Sequence, residues 1–115
     1  MKTNFNMADE FITMTRGDTL SFGVVVSDQA GQPLDLDTAF MTCKKNFTDE
    51  EPIFQKSLED GITKDSDGKY VVRVAPNDTK DVEAGIYFYD LQIGANGDVY
   101  TVLRGYLKLE WDVTD

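Results

Sequence analysis

A chain of 115 residues with 21 acidic side chains and no histidine has a narrow range of chemistry open to it. The missing imidazole removes the usual general base, the usual zinc ligand and any Ser-His or Cys-His nucleophile pair. Carboxylates are plentiful, but they cluster in turn-like stretches such as Asp49-Glu50-Glu51, where acids solvate the chain. Nothing in their spacing sets two of them across a cleft, as glycoside hydrolysis requires. Asp65-Ser66-Asp67-Gly68 has the opening of a calcium loop, yet the twelfth position, which should be Glu, is Asn77. A hairpin turn accounts for it without a metal. Arg16-Gly17-Asp18 is the tripeptide that integrins read, and it equally suits a tight turn, with Gly free to take positive φ and Asp able to bond nearby backbone. We expect a structural turn there. Cys43 stands in an alternating run and is expected to be a small buried hydrophobe. As the only cysteine it leaves no intramolecular disulfide. No catalytic, cofactor-binding or metal-binding residue is therefore expected, and an enzyme is not.

The formal net charge of −10 would repel a phosphate-rich partner, so nucleic-acid binding is disfavoured. A lone cysteine suits folding in a reducing compartment. Asp9 and Glu10 interrupt the first residues before any apolar core of signal-peptide length, and no run reaches the ~18 apolar residues of a membrane span. The expectation is a soluble product made in the cytoplasm, with no membrane insertion. Length suggests one domain.

The elements that would position any site are strands. Residues 1–9 read as a flexible N-terminal arm, and 10–115 as the folded domain. A short first strand is expected over Phe11 to Thr15. Thr19 to Ser27 alternates, and Thr38 to Asn46 forms a third strand, with Ala39, Met41 and Cys43 opposite Phe40, Thr42 and Lys44. Ile53 to Leu58 is expected as a short edge strand, since Lys56 and nearby charges would blunt it. Ile62 to Lys64 and Lys69 to Ala75 flank the Asp65 to Gly68 turn. Pro76 to Asp81 suits one helical turn. Gly85 to Ile93 and Val99 to Val113 are the longest runs, and Asn96-Gly97 between them is a strong hairpin signal. The predicted class is all-β: an antiparallel two-sheet sandwich without a disulfide.

Glu83-Ala84-Gly85-Ile86-Tyr87-Phe88-Tyr89 leads into the first of those long runs. It resembles the tyrosine corner of immunoglobulin-like sandwiches, in which a Tyr near the start of strand F bonds back to upstream backbone. Tyr89 stands where an antibody domain would carry its second half-cystine. If Tyr87, Tyr89, Leu91 and Ile93 face the core, Ile86 and Phe88 face out. If Val99, Leu103, Leu107, Leu109 and Trp111 face in, then Tyr100, Val102 and Tyr106 face out beside them. Phe40 would join from the third strand. A solvated sheet face should be polar, so Phe40, Ile86, Phe88, Tyr100, Val102 and Tyr106 form the expected partner interface. The alternative is a cover supplied by the N-terminal arm.

Three segments carry a wider resemblance: Asp18-Thr19-Leu20-x-Phe22-x-Val24, Gly31-x-Pro33-Leu34-Asp35-Leu36, and Gly85-x-Tyr87-x-Tyr89-Asp90-Leu91. With the closing Thr101-x-Leu103-x-Gly105-x-Leu107-x-Leu109, they resemble the immunoglobulin-like domains of tailed-bacteriophage virion proteins, such as the N-terminal domain of baseplate upper proteins. The resemblance implies a structural or assembly protein of a tail, baseplate, neck or capsid decoration. Its partners would be other virion proteins or further copies of itself, and its final location the virion, after synthesis in a host bacterium. The other reading is a carbohydrate- or protein-binding adhesion module. That reading would want an exposed Trp or Tyr platform, whereas the alternation turns Trp111 inward.

Overall fold

The computed structural model describes residues 8–28 and 30–112. Its elements run β1 (Ala8–Thr15), β2 (Leu20–Val24), β3 (Thr38–Lys44), β4 (Phe54–Leu58), β5 (Gly61–Lys64), β6 (Tyr70–Val74), α1 (Pro76–Thr79), β7 (Gly85–Ala95) and β8 (Asp98–Glu110). The all-β class and the single helical turn are as the alternation and Pro76 indicate. β1 begins at Ala8, so residues 8 and 9 of the expected arm belong to a strand, while the rest of that arm lies outside the described residues.

All eight strands join one sheet, in the order β1-β8-β7-β3-β4-β5-β6-β2, curled until it nearly closes into a barrel. This corrects the expectation of antiparallel pairing throughout. β1 runs parallel to β8 from Ala8 opposite Leu103 to Thr15 opposite Glu110, and β4 runs parallel to β5 over Ser57–Gly61 and Leu58–Ile62. The second junction makes main-chain hydrogen bonding continuous where two separate sheets were expected. A sharp corner at Glu59 (φ 66°) and Gly61 (φ 98°) turns the chain from one wall of the curl to the other. A Cβ on Gly61 would lie 2.5 Å from Cδ of Lys56, so the corner needs glycine for space as well as for φ.

The core lies between the two walls. Met41, Cys43, Leu91, Ile93, Leu107 and Leu109 come from the first wall, and Ile62, Val72 and Val74 from the second; all are essentially inaccessible. A void of only about 10 Å³ remains between Ala39, Leu91 and Ile93 on one side and Ile62, Tyr70 and Val72 on the other. Packing this close is typical of protein interiors. Cys43 is fully buried, as its alternation indicates, and burial pushes its thiol up to about 12.

At one end of the curl several polar groups are tied together. The Tyr87 hydroxyl donates to the Glu83 carbonyl at 2.6 Å, the bond expected from the Gly85-x-Tyr87 pattern. Buried Thr79 accepts from the Gly17 N–H at 2.8 Å. Asp78 accepts from the Ala75 N–H at 2.7 Å and pairs with Lys56 at 2.6 Å. Lys56 stands opposite fully buried Met41, so its stem follows the apolar wall to bring the ammonium to α1.

Candidate functional site

The outward side of β1, β8, β7, β3 and β4 forms a groove of about 1260 Å³. Alternation sets its contents: Phe88 pairs with Tyr106 across β7 and β8, and Tyr106 with Phe11 across β8 and β1. The rings follow the register. Phe88 and Tyr106 are 5.2 Å apart, Tyr106 and Phe11 6.1 Å, and Phe47, from the segment after β3, lies 4.0 Å from Phe88. Four aromatic rings thus form a row across β7, β8 and β1. Aromatic pairs at such spacings favour one another by ~1 kcal/mol beyond the area they bury.

A polar row lies beside them. Gln55 donates to the Thr42 hydroxyl at 2.9 Å, and Asp90 stands in register between Thr42 and Arg104. Partial burial raises the Asp90 carboxyl above its ordinary value, against the nearby Lys44 ammonium, which pulls it down. Among the charged residues lining the groove, Lys44 and Arg104 balance Glu50 and Asp90, whereas the whole chain carries −10. The groove is a neutral, aromatic surface on an acidic protein.

Four of the expected interface residues face outward: Phe40, Phe88 and Tyr106 line the groove, and Ile86, exposed, stands beside Lys108 outside its lining. The other two require correction. Tyr100 is packed against the core and Val102 is only 5% exposed. The register explains both. Leu91 pairs with Leu103 but Gln92 pairs with Thr101, so Val102 is an extra residue in a β-bulge. Beyond the bulge the alternation of β8 changes phase, which carries Tyr100 inward opposite Ile93 and leaves Val99, expected inside, 64% exposed. Phe11 and Phe47 complete the row instead. Phe47 follows the end of β3, where period-two reasoning has no hold; Phe11 needed the β1–β8 register.

Trp111 also departs from expectation. It lies past the end of β8, 63% exposed, with the Arg16 guanidinium 4.4 Å above its ring. Arg16 pairs with Asp112 at 3.0 Å and donates to the Val82 carbonyl at 3.3 Å. The Arg16-Gly17-Asp18 segment is thereby a fixed turn, with Gly17 at φ 82° and the Asp18 N–H bonded to Thr15. Gly17→Ala should lower stability by about 1 kcal/mol, since a Cβ there is strained by the left-handed backbone rather than by crowding. Urea unfolding checks this; an unchanged midpoint would refute it. At the Asp65 turn, the Asp65 carboxylate accepts from the Asp67 and Lys69 N–H groups at 2.9 and 3.0 Å, with Gly68 at φ 83°. That is the hydrogen bonding of a hairpin connection. Among the described residues no three metal-ligating side chains converge, and no helix is long and apolar enough to cross a membrane.

A scan against protein-family models gives no match to this chain, and a search of curated proteins finds no relative.

Proposed function

We propose that this chain is an immunoglobulin-like structural domain of a tailed-bacteriophage virion, working by protein–protein contact through its aromatic groove and not by catalysis. The fold assignment is supported by connectivity. With the strands lettered A, B, C, C′, D, E, F and G in chain order, the β8-β7-β3 run reads G-F-C and the β5-β6-β2 run reads D-E-B. Those are the two strand groupings of such sandwiches. The Tyr87–Glu83 bond has the form of their tyrosine corner. The virion role rests on the resemblance of the Asp18, Gly31 and Gly85 segments and the β8 pattern to phage domains.

The observation that carries the docking role is the row Phe47–Phe88–Tyr106–Phe11 on an otherwise solvent-facing sheet. Aromatic side chains dominate interface energetics, and a sheet face left to water should be polar. Phe88→Asp sets a charge at the middle of the row on a half-buried position. The variant should keep its circular dichroism, yet lose incorporation into particles at least tenfold relative to wild type. Equal incorporation of a folded variant would rule out the groove as the docking surface. A second reading, a glycan-binding module, is favoured by the Gln55, Asp90 and Gln92 groups beside the rings. Glycan-array binding that is lost in Phe88→Asp, with particle incorporation unchanged, would select it.

A further inference from the structure

We propose that β1 is an assembly edge, which pairs antiparallel with β1 of a second copy about a two-fold axis that sets Phe11 opposite Phe11. This goes beyond the docking groove, because it assigns a second surface and its occupant. β1 ends the strand order and pairs with β8 alone among the described strands. At its end the Arg16 N–H donates to the Glu110 carbonyl at 3.1 Å. Alternate residues of a strand turn their main-chain groups to opposite neighbours. The main-chain groups of Thr15, Thr13 and Phe11 therefore point away from β8. Natural edges are commonly blunted by charged side chains, Pro or a bulge. β1 has no Pro or bulge over its 8 residues, and its only charged residues, Asp9 and Glu10, stand near its start, which leaves Phe11 to Thr15 uncharged.

The residues of β1 choose the partner and the register. Opposed residues of an antiparallel pair share a face, so a two-fold pairing must centre on a residue. Like charges would stand opposite one another if the pairing centred on Asp9 or Glu10, and do not if it centres on Phe11, which sets Asp9 opposite Thr13 and Glu10 opposite Ile12. It also joins the two aromatic rows. Phe11 is 58% exposed, beyond Tyr106 at the end of its row, and the second copy's Phe11 would continue that row across the axis. An isologous contact of this kind closes on itself as a dimer. The net charge of −10 on each copy opposes association, so pairing should strengthen as salt screens that repulsion.

Phe11→Cys tests the register, because opposed residues lie ~5.5 Å apart, within the Cα separation a disulfide accepts. Under mild oxidation at raised salt, this variant should form covalent dimers at least tenfold faster than Thr13→Cys, also at an exposed site, whose two copies would lie well beyond ~7 Å. Buried Cys43 supplies the wild-type control. Slow crosslinking by both variants, or equal crosslinking by both, would overturn the proposal. Phe11→Cys combined with Phe88→Asp should still crosslink; failure there would assign the contact to the groove and also overturn edge pairing.

Discussion

Asp78→Ala is expected to lower the free energy of unfolding by about 2–4 kcal/mol, because one carboxylate holds two partners at a half-buried site. It accepts from the Ala75 N–H at 2.7 Å, closing the first turn of α1, and pairs with Lys56 at 2.6 Å. Both ends of that pair are largely shielded, with side-chain exposures of 12% and 17%, so losing the carboxylate strands an ammonium against the apolar wall. A double-mutant cycle separates the two contributions. In a Lys56→Met background, where no charge is left behind, Asp78→Ala should cost only the helix-end bond, about 1 kcal/mol. Asp78→Asn should fall between. Urea denaturation of wild type and these four variants checks this, and equal losses in both backgrounds would show that the ion pair contributes nothing.

Tyr87→Phe is expected to cost about 1–3 kcal/mol. The side chain is only 5% exposed, and its hydroxyl donates to the Glu83 carbonyl at 2.6 Å across the segment between α1 and β7. Removing the hydroxyl leaves the ring packing intact, so the loss measures the bond and whatever desolvation the carbonyl keeps. The same site weakens in alkali. Burial raises the Tyr87 hydroxyl above its ordinary value, with Glu83 adding to the effect. The unfolded chain therefore ionises first, and stability falls as pH rises past about 10. That alkaline loss should be smaller in Tyr87→Phe, and an unchanged pH profile would contradict it.

Much of the fold could be read directly from residue order. Ala39, Met41 and Cys43 on β3 and Tyr87, Tyr89, Leu91 and Ile93 on β7 are buried where alternation sets them, because a strand buries every second residue whatever it pairs with. Turn chemistry was equally legible at Asp65 to Gly68 and at Gly17, where local backbone geometry demands particular residues. Four of the six residues expected to face outward, Phe40, Ile86, Phe88 and Tyr106, do so by the same arithmetic.

The departures arise where one segment's side-chain directions depend on another segment. Val102 and Tyr100 face the core, and Val99 faces water, because a bulge opposite Leu91 and Gln92 shifts β8 by one residue. A bulge is a mismatch between two strands, so neither strand's own pattern reveals it. The parallel pairing of β1 with β8 joins residues nearly a chain length apart, and it alone brings Phe11 to Tyr106. Phe47 and Trp111 lie beyond strand ends, where side-chain direction is set by Phe88 and Arg16 instead of by pleat. The sequence by itself determined most of the strands and turns and the buried faces of β3 and β7, since those depend on local backbone preference and a fixed period of two. Tertiary structure decided the register, and with it which aromatic rings share one groove, because register is a relation between strands that only their joint packing sets.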